Sequence, residues 1–100
     1  MATTTTKRRP SRIRAYLTCA AAPVQIEGTV DGMHFYFRAR WNSWGIGFGS
    51  TLEEAVHNEL ATPFASGHCP GASYMPHDEA WRLVMSAIED WRQKWADKAV

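Results

Sequence analysis

Cysteine is scarce in this 100-residue chain: Cys19 and Cys69 alone occur, fifty residues apart and outside any Cys-x-x-Cys pair. That excludes a disulfide framework and the usual zinc spacings, leaving two ordinary thiols as the expectation. Long apolar runs are missing as well, and nothing approaches the ~18 residues that a membrane-spanning helix requires. The opening MATTTTKRRPSR is basic but carries no apolar signal core after its charges, so the expected compartment is the cytoplasm. Acidic residues are absent before Glu27. Lys7, Arg8, Arg9, Arg12 and Arg14 all precede it, whereas residues 15–100 hold six basic and ten acidic side chains, a net of −4. The chain reads as a basic arm over residues 1–10 and a mildly acidic body over 11–100.

What is present suits one small domain. Hydrophobic residues make up 45%, with five tryptophans, which lies in the globular range. A chain this short buries roughly 60–65% of its unfolded surface, enough for a single core. Ile13, Tyr16, Leu17 and Ala20 follow helical spacing behind a capping Ser11 and ahead of Pro23, which predicts a short helix. A strand with Ile13, Ala15 and Leu17 on one face is the alternative. The alanine run at 20–22 favours the helix.

The strongest local signal is Asp31-Gly32, suited to a type I′ turn between PVQIEGTV and MHFYFRARW. That hairpin pairs Val24 with Ala39, Ile26 with Phe37 and Gly28 with Phe35, and sets Glu27 against Tyr36 and Gln25 against Arg38 on the other face. A second turn at Asn42-Ser43 predicts a third strand with Trp41 opposite Trp44, Ala39 opposite Ile46 and Phe37 opposite Phe48. Tyr36, Arg38 and Arg40 then lie across from Gly49, Gly47 and Gly45 on an open face. Thr51-Leu52-Glu53-Glu54 is a capping box that starts a helix to about Leu60. Its Leu52, Ala55, Val56 and Leu60 are expected on the apolar side of the sheet, with Glu53, His57 and Glu59 outward. A loop follows over 61–75, anchored by Phe64 and Tyr74. Trp81, Val84, Ile88, Trp91 and Trp95 then mark an amphipathic final helix from Pro76 to about Lys98, with Asp78/Arg82 and Asp90/Lys94 as i, i+4 pairs. The expected fold is therefore α+β: short helix, three-stranded antiparallel meander, capped helix packed on the sheet, long loop, and tryptophan-rich C-terminal helix.

Chemistry-bearing patterns are few. His68, Cys69 and His77 match no established zinc spacing, and Glu53/His57 and Asp78/Glu79 sit at helix starts where the dipole alone favours carboxylates. Gly45, Gly47 and Gly49 recur at period two inside a strand, unlike a phosphate-binding loop. Ser66-Gly67-His68 lacks the strand-turn-helix setting of a nucleophile elbow. No enzyme, cofactor or metal is expected. The residue types in surplus are those of interfaces, and Tyr36, Arg38, Arg40, Trp41, Trp44, Trp91 and Trp95 are the expected partner-binding set. The competing expectation is nucleic-acid binding through Lys7, Arg8, Arg9, Arg12, Arg14, Arg38 and Arg40.

Three local resemblances bear on this choice. Residues 11–60 resemble double-stranded-RNA-binding domains in element order, but those carry a lysine-rich start to the second helix where this chain has Thr51-Leu52-Glu53-Glu54. FRARWNSWGIGFGSTLEEA, from Phe37 to Ala55, resembles integrase-type three-stranded DNA-binding domains, which implies Arg38, Arg40 and Trp41 as groove-reading positions. GSTLEEA, from Gly49 to Ala55, is similar to the strand-to-helix joint of HicB-type antitoxins. In general character the chain also resembles small phage and mobile-element inhibitors of anti-CRISPR type. That resemblance implies the cytoplasm of an infected or lysogenic bacterium and a nucleoprotein effector whose target recognition is blocked; the expected oligomeric state is a monomer or homodimer.

Overall fold

The computed structural model describes residues 13–19 and 23–99. The Asp31-Gly32 turn forms as its chemistry dictates, with φ of 52° at Asp31 and 84° at Gly32. It joins β2 (Val24–Val30) to β3 (Met33–Arg40) in the register that side-chain alternation predicts, Ile26 facing Phe37 and Gly28 facing Phe35. The basic arm, with Lys7, Arg8, Arg9 and Arg12, and the capping Ser11 lie outside the described residues.

Ahead of the hairpin, Ile13–Cys19 is a strand, β1, and not the expected helix. It pairs antiparallel with β2, and Ile13, Ala15 and Leu17 pack against the core while Arg14 and Tyr16 are exposed. Burial of that alternating face against β2 outweighs the local helical spacing. With β4 (Ser43–Gly49) and β5 (Ala65–His68), the strand order is β1-β2-β3-β4-β5, antiparallel throughout.

The second turn falls at Trp41-Asn42, one residue earlier than predicted. β4 (Ser43–Gly49) therefore pairs Arg40 with Ser43, Ala39 with Trp44, Phe37 with Ile46 and Phe35 with Phe48. Tyr36 lies opposite Gly47 and Arg38 opposite Gly45. Because side chains alternate at period two, this two-residue slip in pairing leaves every residue on its predicted face.

Val24, Ile26, Phe35, Phe37, Ala39, Ile46 and Phe48 form the buried side of the sheet. The C-terminal helix α2 (His77–Ala99) covers it with Ala80, Val84, Ala87 and Ile88, and Trp91 stacks on Phe48 at 5.1 Å and 6°. Each fully buried side chain of Val, Ile or Phe size contributes about 1.5–3 kcal/mol, so this layer is the main source of stability. In the first turn of α2, Arg82 pairs with Glu79 and not with Asp78.

The capped helix α1 (Leu52–Ala61) lies on the opposite, glycine-lined face. A Cβ on Gly47 would come within 2.4 Å of Ala55 O and of Glu59 N, so the helix backbone rests almost directly on the strand. That contact buries Ala55 and leaves Glu53 and His57 exposed, as predicted, but turns Glu59 inward and leaves Leu52, Val56 and Leu60 exposed, against prediction. The apolar face of the sheet is already taken by α2. The 61–75 segment likewise is no plain loop: Ala65–His68 forms β5 on the free edge of β4, followed by a 3₁₀ turn at Ala72–Tyr74. Phe64 anchors it edge-on to Phe48 at 5.4 Å, but Tyr74 is 82% exposed and Ala72 and Met75 fill the core instead.

Candidate functional site: the hairpin tip and its cleft

Trp41 stands at the tip of the β3–β4 hairpin with φ of 56°, a left-handed conformation that costs an indole-bearing residue on the order of 1 kcal/mol or more. One hydrogen bond from Trp41 and two to Asn42 hold the tip there. Trp41 N donates to Ser73 Oγ at 2.5 Å, Gly71 N donates to Asn42 Oδ1 at 3.1 Å, and Cys69 N donates to Asn42 O at 2.8 Å. The tip is therefore sewn to the segment that follows β5. Its ring is 71% exposed, and the Arg40 guanidinium lies 4.5 Å above the ring centroid. Trp44 is half-buried, stacked on Phe37 at 6.0 Å, with its indole occupying the space that a Cβ on Gly67 would need.

Between the tip, β5 and the end of α1 lies a cleft of about 540 Å³, walled by Arg38, Arg40, Trp41, Trp44 and His68. Glu59 sits at its base beside Gly45. Its Oε1 is buried with no hydrogen bond and lies 3.6 Å from Arg38 Nη2. Burial pushes the Glu59 carboxyl above its ordinary value, opposed by the nearby Arg38 and Arg40 charges. Burial also raises the Tyr36 hydroxyl, which Arg38 pulls the other way. Arg38 is thus matched by a carboxylate. Arg40 has no ion-pair partner among the described residues.

Of the seven partner-binding residues expected from sequence, Arg38, Arg40, Trp41 and Trp44 come together at this cleft. Tyr36 does not join them as an exposed contact, because it is buried. Trp91 and Trp95 line a different groove of about 450 Å³ with Phe48, Phe64 and Lys94, where Trp95 is 49% exposed. The open sheet face that an integrase-type contact needs is absent from β3 and β4, since α1 occupies it. Arg14 is exposed on β1, at the far edge of the sheet from β5. Sequence reasoning missed Glu59, which reads as an outward helical acid, and Asn42 and Ser73, whose roles depend on contacts 29 and 32 residues apart. Among the described residues no group of three or more His, Cys, Asp or Glu could hold a metal ion, and no helix is long and apolar enough to cross a membrane.

Comparison with protein-family models, with curated proteins and with solved structures finds no match to this chain.

Proposed function

We propose that this chain is a non-enzymatic binding protein whose recognition site is the hairpin tip. Within that class, we propose an inhibitor of anti-CRISPR type that engages a host nucleoprotein effector in the cytoplasm and blocks its target recognition. The observation that carries the binding role is Trp41, an exposed indole in a strained backbone, held by its own hydrogen bond to Ser73 and two more to the neighbouring Asn42, and flanked by Arg40. Strain of this kind persists where the surroundings over-determine it, and such positions cluster at functional sites. Trp and Arg dominate the energetics of protein interfaces, and a pre-ordered anchor loses little conformational entropy on binding. The narrower inhibitor role is supported by the general likeness to phage inhibitors and by a body acidic enough to approach a basic DNA-binding channel.

The test is retention of purified DNA-targeting nucleoprotein effectors on the immobilised chain, followed by target-DNA binding by any effector retained. One effector held tightly and prevented from binding its DNA is the expected result. Retention of none, together with duplex DNA bound at an affinity that falls steeply with salt, would replace the proposal with direct DNA binding.

A further inference from the structure

We propose that the cleft beside the hairpin tip receives a carboxylate side chain from an acidic peptide segment of the partner, with Arg40 as the charge that holds it. This rests on the binding role of the tip and adds the chemistry of what is bound. The charges in the cleft decide its preference. Arg38 and Glu59 face one another at 3.6 Å, whereas Arg40 makes no ion pair among the described residues, so two arginines and one carboxylate leave the wall a surplus positive charge on the Arg40 side. Arg40 has its guanidinium carbon 4.5 Å from the Trp41 ring centroid and no ion-pair partner among the described residues, so its N–H groups can serve a forked contact with an oxyanion. Ser43, Ser66 and His68 add polar groups to the lining, while Trp41 and Trp44 supply apolar walls for the stem of the incoming side chain.

Size and local charge separate a peptide from a nucleic acid at this cleft. An open cleft of about 540 Å³ has room for one or two side chains. Duplex DNA needs several cations along a track, and the cleft itself is walled by two arginines, one of them paired with Glu59, in a body whose residues 15–100 carry a net −4. A single acidic side chain needs only one cation without an ion pair, which Arg40 supplies.

The test follows the indole N–H signals of Trp41 and Trp44 in the isotope-labelled protein, titrated with hexaglutamate, hexaglutamine and a short DNA duplex. Hexaglutamate is expected to shift both signals, with binding weakened by salt between ~50 and ~200 mM. Arg40→Gln should weaken it by about tenfold, the loss of one charge-assisted hydrogen-bonded contact. Arg40→Lys should recover part of that affinity, keeping the charge but not the fork. An equal response to hexaglutamine, no response to hexaglutamate, or a tighter response to DNA would overturn the inference. If hexaglutamate has no effect while effector retention is lost in Trp41→Asn and kept in Arg40→Gln, the acid-binding inference falls and the binding role stands. Retention unaffected by either substitution would sink both.

Discussion

Trp41 and Gly47 show how far single positions in this chain are bound by backbone geometry. At φ of 56°, Trp41 occupies a region that asparagine enters more readily. Trp41→Asn is therefore expected to leave folding stability unchanged or to raise it by up to ~1 kcal/mol, while removing the ring offered to a partner. Urea unfolding of the two proteins checks the sign, and a loss above ~1 kcal/mol would show that the ring supports the fold. Gly47 is the opposite case. A methyl group there would meet Ala55 O and Glu59 N at 2.4 Å, both backbone atoms that cannot turn aside. Gly47→Ala should cost about 1–3 kcal/mol by forcing α1 away from β4. Retained stability would mean that the helix can lift without loss.

On the scale of one element, α1 carries two glutamates with opposite pH behaviour. Glu59 is raised by burial, so the unfolded chain ionises first as pH increases. Its contribution to stability therefore falls from the ordinary carboxylate range upward and levels off above the raised value. Glu59→Gln should gain on the wild type as pH rises above the ordinary carboxylate range, a slope measurable by thermal unfolding at a series of pH values. Glu54 accepts hydrogen bonds from Ser50 N at 2.6 Å and Ser50 Oγ at 2.8 Å, the cause of its lowered value. It stabilises above its ordinary value and loses that effect as pH falls through the lowered one, so Glu54→Gln should lose most at neutral pH. Both slopes vanish if α1 is frayed.

The elements differ in how legible they are from sequence. The Asp31-Gly32 turn, the Thr51 cap and the long final helix follow from local chemistry, and the structure carries all three. β1 does not, because Ile13–Leu17 satisfies both helical and strand spacing and only its partner β2 decides. β5 is hidden in Ala65-Ser66-Gly67-His68, a stretch with little strand propensity that is placed by the edge of β4 and by the Trp44 ring against Gly67. The hairpin tip shows the same limit. Asn42 and Ser43 suit a turn locally, yet bonds from Cys69 and Gly71 to Asn42 and from Trp41 to Ser73 fix the turn one residue earlier. Arg38, Arg40, Trp41 and Trp44 could be picked out as interface types. Their assembly around Glu59 could not, since it depends on which face α1 covers.

For the whole molecule, the sheet is held between α1 on a glycine face and α2 on an aromatic one, and the two interfaces are unequal. Alpha-2 contributes Val84 and Ile88 to the core and a two-pronged ion pair from Arg92 to Asp31, at 2.8 and 2.9 Å. That pair is about a third exposed on each side, so its net worth is under ~1 kcal/mol. Ile88→Ala should cost about 2–5 kcal/mol, a large share of the ~5–15 kcal/mol expected for a domain of this kind. Arg92→Gln should cost far less, and the reverse order in urea unfolding would show that charge and not packing holds α2.

The hairpin tip bears the weight of the functional proposal, and one comparison tests it most directly: retention of DNA-targeting nucleoprotein effectors by wild type and by Trp41→Asn, with the unfolding midpoint of each protein measured alongside. A variant that folds at least as well yet binds about 30-fold more weakly, the ~2 kcal/mol of an interface hot spot, is the expected result. A stable Trp41→Asn protein that retains its effector as tightly as wild type would contradict the assignment of the tip as the recognition site.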